Sequence, residues 1–293
     1  MSSLWQEGEK RLKFSKPFKE DWDDLPSFKD WIAEPKLDGM RSFLSIGYEG
    51  IKLLRDDGKN KTLGFPEVIS KAKSADLTKH ADTVIDGEIC ILKSPLIADF
   101  PAIQKRMNLQ DSLKIKLLSS KHPATFVAFD ILKFEGKDLT KEPFVERRKI
   151  LERFIPKNPF DVVSQWKSKD LVKIVEKKDL EGIVVKEPNS IYEHKRQETW
   201  RKFKKREEAD YIVKSFTSEK RDITALELVD NKGNSVGKVN YTGYPQSEEM
   251  KKKLKGMTAV VTYMKSEGKL RIPVLKELRD WKRSTEYGVL TCG

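Results

Sequence analysis

Short runs of alternating apolar and polar residues, each cut off by Gly, Asp or Pro, constrain this fold most, because a two-residue period lays one face of an extended chain on a core. Such runs predict strands over residues 31–36, 41–46, 51–55, 83–92, 125–132, 182–186 and 199–205. Helical periodicity interrupts them over 66–79, 102–119, 144–154 and 167–178, so the first two thirds read as α+β with mostly antiparallel strands. From about residue 207 the texture changes to short strands at 211–216, 223–229, 235–241, 259–264 and 270–274, with Asn231-Lys232-Gly233-Asn234 as a hairpin turn. One amphipathic helix, 247–254, falls between the third and fourth of these strands, the order expected of a five-stranded OB-fold β-barrel. The expectation is two domains, 1–206 and 207–293, as a chain of 293 residues also suggests.

Charge narrows the partners. With 58 basic against 46 acidic side chains the net charge is +12, most of the excess lying before residue 207, and this favours a polyanion such as nucleic acid over a membrane. No apolar run is long enough for a transmembrane helix, and the charged start MSSLWQEGEKRLK lacks a signal peptide's apolar stretch, so a cytoplasmic protein is expected. Cys90 and Cys292 are too few for a disulfide framework or a thiolate metal site. His80, His122 and His194 lie far apart without ligand spacing, which argues against zinc and against histidine-based catalysis.

Between the first two strands stands Glu34-Pro35-Lys36-Leu37-Asp38-Gly39-Met40-Arg41. A lysine amine attacks phosphorus only when neutral, yet its ordinary pKa is about 10.4, so a nucleophilic lysine needs cations, a metal or desolvation beside it. Lys36 precedes a tight corner at which Gly39 is expected to permit strained backbone, and Arg41 returns on the next strand to face an anion. In isolation this pattern also suits a hairpin with surface charges. Four further segments bear on the choice. In Asp86-Gly87-Glu88, Glu88 points away from Ile85, Ile89 and Ile91 and could accept from a ribose hydroxyl or hold a metal-bound water, or simply be a strand-end acid. In the apolar strand at 126–132, Phe129 could stack on a purine or be core. Glu181 and Lys186 bracket a buried strand, Glu181 suiting a magnesium-side carboxylate. Lys202 and Lys204 project to one face of a basic strand, where they would stabilise a triphosphate and depress a nearby lysine, or merely line a surface. The run 251–255 reads as a solvated helix face.

In that order these segments resemble the motifs of covalent nucleotidyltransferases, specifically short ATP-dependent DNA ligases, over nearly the whole chain. The resemblance implies that Lys36 attacks the α-phosphate of ATP and carries AMP, that AMP passes to a DNA 5′-phosphate, and that a 3′-hydroxyl displaces it to seal the nick. It further implies that Glu34 contacts the adenine amine, Arg41 holds phosphate near the nick, and Glu88 binds ribose and supports the metal. Phe129 would stack on adenine, Glu181 would hold Mg²⁺ or Mn²⁺, Lys202 and Lys204 would grip the α-phosphate, and Lys186 would complete the ATP site. Arg55 would contact phosphate of ATP or DNA, and Arg279 with Lys282 would orient pyrophosphate. A hinge is expected at 205–210. The implied substrate is nicked duplex DNA, handled by a monomer with an accessory protein as an optional clamp, in DNA repair, replication or recombination. Three features depart from the family pattern: the acids Asp56 and Asp57 after Arg55, Asp280 one place early, and only about 35 residues before Lys36, as in a minimal ligase. Alternatives are an RNA ligase, a GTP-dependent mRNA capping guanylyltransferase, and a non-catalytic basic OB-fold nucleic-acid-binding protein.

Overall fold

The computed structural model describes residues 14–55, 57–155, 161–178, 180–219, 222–244, 246–264 and 268–279. The chain divides into two compact units, Met1–Lys204 and Lys205–Gly293.

The first unit is built on two five-membered strand paths. One sheet contains β1 (Lys16–Glu20), β2 (Ile32–Pro35), β11 (Trp166–Lys167), β12 (Gly182–Lys186) and β13 (Arg196–Lys204) in the order β1-β13-β12-β2-β11. The other contains β3 (Met40–Gly47), β4 (Gly50–Arg55), β5 (Thr83–Cys90), β8 (Thr125–Phe134) and β10 (Asp161–Val162) in the order β10-β8-β5-β3-β4, with β9 (Lys137–Asp138) added to β8. A small hairpin, β6 (Leu92–Ser94) and β7 (Ile97–Ala98), stands apart. Pairing is antiparallel except for β1 on β13 and β10 on β8. Strand β1 was not foreseen. Its five residues include Pro17, and its partner lies some 180 positions away in sequence.

Alternation puts Leu44, Leu53, Ile85 and Ile131 on the face covered by α1 (Pro66–Ser74), α2 (Phe100–Met107) and α4 (Phe144–Phe154), and they form the largest core with Phe65, Val68, Ile103 and Leu151. Leu171 and Val175, one turn apart on α5 (Ser168–Lys178), pack on Ile183, Val185 and Phe203 of the other sheet. A third cluster, Phe43, Leu132, Tyr192 and Trp200, joins the two sheets. The helix expected over 102–119 is two helices, α2 and α3 (Ser112–Lys121), because two carboxylates cap separate N-termini. Asp99 accepts from the Ala102 N–H at 3.1 Å and Asp111 from that of Lys114 at 3.0 Å. The helix expected over 66–79 stops at Ser74, since Asp76 turns left-handed at φ 56°, and only a 3-10 turn, Leu77–Lys79, follows.

The second unit is an antiparallel sheet of β14 (Glu207–Glu219), β15 (Asp222–Val229), β16 (Ser235–Asn240), β17 (Thr258–Met264) and β18 (Arg271–Arg279), in the order β16-β15-β14-β17-β18, with α6 (Glu248–Lys253) between β16 and β17. Leu226, Leu228, Val239, Ala259, Val261 and Leu275 fill its core. The expected closed barrel is not formed by the ladder. Strands β16 and β18 are its ends, and the rims meet where the Leu270 N–H donates to the Val236 carbonyl at 2.8 Å. Gly237, at φ 124°, breaks the pleat of β16 beside that bond.

Candidate active site

Strand β2 ends at Pro35 and β3 starts at Met40, so Lys36 opens the corner between the two sheets. Its N–H donates to the Gly182 carbonyl at 2.9 Å, tying the corner to β12. Gly39 does not occupy the left-handed region, contrary to expectation. Glycine is required for closeness instead: a Cβ there would lie 2.4 Å from the Ile89 carbonyl oxygen and 2.8 Å from Glu88 Cγ. The Lys36 Nζ lies 2.9 Å from each carboxylate oxygen of Glu181, and Lys204 Nζ is 3.0 Å from Oε1 of the same group. Burial pulls the Lys36 pKa down, but Glu181 and Glu88 outweigh it and the net direction is up. The depressed lysine expected from its neighbours is therefore reversed, because carboxylates rather than cations dominate around the amine. Lys202 goes the other way, lowered by burial and by Lys204 and Lys36. Burial pushes Glu88 up to about 8.

Arg41 stands opposite Glu88 across the β3–β5 ladder. Its Nε and Nη2 donate to Asp86 at 3.1 and 2.7 Å, and its Nη1 donates to the Ser15 carbonyl at 2.6 Å. Tyr192 donates its hydroxyl hydrogen to Asp86 at 2.7 Å, and the Ser15 N–H donates to the Tyr192 oxygen at 3.1 Å. The guanidinium lies 4.8 Å from the Phe14 ring centre and 5.4 Å from that of Phe129. Asp86 thus orients Arg41, a role its place two residues before Glu88, on the same face of β5, could have suggested.

Phe129 owes its direction to a bulge. Gly87 pairs with Ala128 and Asp86 with Asp130, so Phe129 has no partner on β5, and it is only half-buried while Ala128 and Asp130 are fully buried. Its ring lines a cavity of about 300 Å³ with Phe14, Pro35, Val163, Val184 and Trp200. Buried Glu34 lies at this cavity too, its Oε2 2.7 Å from Lys186 Nζ, its Oε1 accepting from Arg148 at 3.3 Å and from Gln165 at 3.2 Å. Lys186 sits 4.4 Å from the Trp200 ring centre, and burial lowers its pKa. Arg148 and Gln165 were not singled out from sequence. The signal was present for Arg148: Arg147 and Arg148 share the buried face of α4 with Phe144 and Leu151, a position arginine holds only with partners. Arg147 pairs with Asp130 through two 2.8 Å bonds, both side chains fully buried.

The cavity thus gathers Glu34, Lys36, Arg41, Glu88, Phe129, Lys186 and Lys202, while Glu181 joins through Lys36 and Lys204 through Glu181. Arg55 is not among the cavity's lining residues; it ends β4 and pairs with Asp57, whose carboxyl it holds well below the usual range. Arg279 belongs to the second unit, exposed and 2.9 Å from Glu277. Lys282, Asp280 and Asp56 lie outside the described residues. Among the described residues no three His, Cys, Asp or Glu side chains cluster as a metal cage. Glu181 Oε1 is buried with Lys36 and Lys204 Nζ at 2.9 and 3.0 Å, so a cation held by this carboxylate would displace an ammonium and take its other ligands from phosphate and water.

Residues 15–204 match the family described as ATP dependent DNA ligase domain. The bifunctional non-homologous end joining protein LigD of Bacillus subtilis is 32% identical over 219 residues, which are 69% of this chain and 36% of that protein. The SPbeta prophage-derived DNA ligase-like protein LigB of the same organism is 29% identical over 227 residues, 76% of this chain and 77% of its own length. Among solved structures, the ligase domain of Mycobacterium tuberculosis LigD superposes with a TM-score of 0.56 at 20% identity, covering 91% of this chain and 95% of that one.

Proposed function

The chain belongs to the family of ATP-dependent DNA ligases, and from that premise we propose that it seals nicks bearing 3′-hydroxyl and 5′-phosphate ends through a lysyl-AMP intermediate. The observation that carries this reading is Lys36 placed between the Glu181–Lys204 pair and a cavity walled by Phe129 and floored by Glu34. Lys36 Nζ, once deprotonated, forms a bond to the α-phosphorus as the bond to pyrophosphate breaks. Lys202 and Lys204 stabilise the charge that develops on the α-phosphate oxygens. Phe129 stacks on adenine, Glu34 with Lys186 and Arg148 reads the base edge, and Glu88 binds the ribose. Arg41 holds phosphate at the nick, Arg55 adds a phosphate contact, and Arg279 with Lys282 serves the departing pyrophosphate. Glu181 and Glu88 would hold Mg²⁺ or Mn²⁺, which when bound offsets phosphate charge. The AMP then passes to the 5′-phosphate, and the 3′-hydroxyl displaces it.

The first unit is the adenylation domain in this reading and the second an OB-type domain, expected from sequence as 1–206 and 207–293. The strand order, the helix between β16 and β17, and the bond from Leu270 to Val236 support the second assignment. Among the described residues no helix is long and apolar enough to cross a membrane. The protein acts in this reading as a cytoplasmic monomer on nicked duplex DNA, with an accessory protein as an optional clamp.

Incubation with α-labelled ATP or GTP and Mg²⁺ tests the chemistry. Label transferred from ATP alone supports the ligase, label from GTP a capping enzyme, and no label a binding protein. Lys36→Ala is expected to abolish the adduct yet seal a nick supplied already adenylylated, and an adduct that survives the substitution overturns the assignment. Comparison of nicked DNA, RNA and hybrid duplexes separates DNA from RNA sealing.

A further inference from the structure

Five cations line the cavity: Lys16, Lys36, Arg41, Lys186 and Lys202. Three face a carboxylate, Lys36 that of Glu181, Arg41 that of Asp86 and Lys186 that of Glu34. Among the described residues Lys16 and Lys202 have no ion pair. Lys202 has a role at the α-phosphate, whereas Lys16 has none in the chemistry above.

The backbone that carries Lys16 is anchored on three sides. The Lys16 N–H donates to the Lys195 carbonyl at 3.0 Å, and β1 runs parallel to β13. Ser15, the preceding residue, gives its carbonyl to Arg41 and its N–H to Tyr192. Phe14 stacks on Phe43 with ring centres 4.0 Å apart and also lies under the Arg41 guanidinium. Lys16 is thus an exposed ammonium on a fixed stem at the cavity's rim, on the Arg41 side. Lys19, not Lys16, stands level with Lys202 in the β1–β13 register, which separates Lys16 from that level by three residues, about 10 Å of strand. Lys16 and Lys202 therefore stem from different levels of the rim, Lys16 beside Ser15, whose carbonyl Arg41 holds. A cation with no carboxylate to give up contacts phosphate with little loss, and the release of condensed counterions favours the contact.

We propose that Lys16 binds a phosphate of the nicked strand beside Arg41, so that the rim of the nucleotide cavity is also part of the DNA footprint. This rests on the ligase reading. The residue acts in the nick-dependent steps, by fixing the broken strand over the cavity that holds the AMP.

The test compares wild type, Lys16→Ala and Lys16→Arg in three measurements: adduct formation from ATP, sealing of a pre-adenylylated nick against nick concentration, and binding of nicked duplex across a salt series. For Lys16→Ala the KM for the nick is expected to rise about 3- to 10-fold and the salt slope of binding to fall by about one unit, with Lys16→Arg restoring both. Adduct formation should lose far less than nick affinity, which also establishes that the variant folds. An unchanged nick KM and slope overturns the proposal. So does an equal loss in all measurements, or a loss confined to the ATP step, which would place Lys16 at the nucleotide instead. The failure of the ligase reading itself looks different: wild type would form no adduct, while the salt slope of the two proteins on nicked duplex would still decide whether Lys16 meets a phosphate.

Discussion

Replacing Gly39 with alanine adds one methyl group at the corner that carries Lys36, and the surroundings fix what must follow. The new Cβ would lie 2.4 Å from the Ile89 carbonyl oxygen, 2.8 Å from Cys90 Sγ and 2.8 Å from Glu88 Cγ. Ordinary contact begins near 3.5 Å, so the corner and β5 must separate by about 1 Å. The oxygen cannot swing aside, because it belongs to the backbone of β5, and Ile89 pairs with Met40 in the β3–β5 ladder. Overpacking of this kind costs about 1–3 kcal/mol, and a displacement of about 1 Å at a reacting group costs on the order of 100-fold in rate. The displaced groups are those of the proposed chemistry: Glu88 is struck directly, and Lys36 is three residues away on a corner held by its bond to Gly182. Gly39→Ala should therefore lower the urea midpoint modestly and slow adduct formation from ATP about 100-fold. Single-turnover labelling at saturating ATP, beside a denaturation curve, measures both. Near-normal labelling with normal stability would refute the argument, since it would mean that the corner does not need its close approach to β5.

Arg147→Met should destabilise the first unit by about 3–5 kcal/mol, read from urea unfolding, because it strands the fully buried Asp130 carboxylate, which pairs across the sheet with the equally buried Asp86. A loss below 1 kcal/mol would show that Asp130 finds other partners or water. The pH dependence of stability has a definite sign at Glu88. The folded protein keeps this proton until about pH 8, whereas the unfolded chain releases it near 4.5, so the contribution is full below pH 4.5 and is lost as pH rises to 8. Unfolding free energies at pH 5 and pH 8 should fall in that order for wild type, and Glu88→Gln should flatten the difference; a Glu88→Gln profile parallel to wild type would sink the assignment.

How much of this was legible in the sequence depends on the range over which each feature is determined. Strands β3, β4, β5, β8 and β12 follow from alternation within a few residues, and the corner that carries Lys36 follows from its Asp38-Gly39 pair, so both could be anticipated. Strand β1 could not, because Lys16-Pro17-Phe18-Lys19-Glu20 is too short and too polar to announce itself and is made a strand only by β13. The same holds for Phe129: alternation would assign it a face in a regular ladder, but the bulge opposite Asp86 and Gly87 is a property of the pair β5–β8 and not of either strand. The protonation of Lys36 is the sharpest case. Its sequence neighbours and the basic strand at Lys202 and Lys204 argue for a depressed pKa, yet the group that reverses the direction is Glu181, 145 residues away and 2.9 Å from the amine. Lys204, expected to act on Lys36, contacts the same carboxylate at 3.0 Å and so shares Glu181 with it. One carboxylate between two ammoniums leaves the set with net positive charge, so a polyphosphate that approaches meets attraction. The attack proposed above, however, requires Lys36 to lose both its hold on Glu181 and its proton. In the proposed chemistry, then, the nucleotide would bind first and the nucleophile would be released only when that carboxylate is drawn elsewhere.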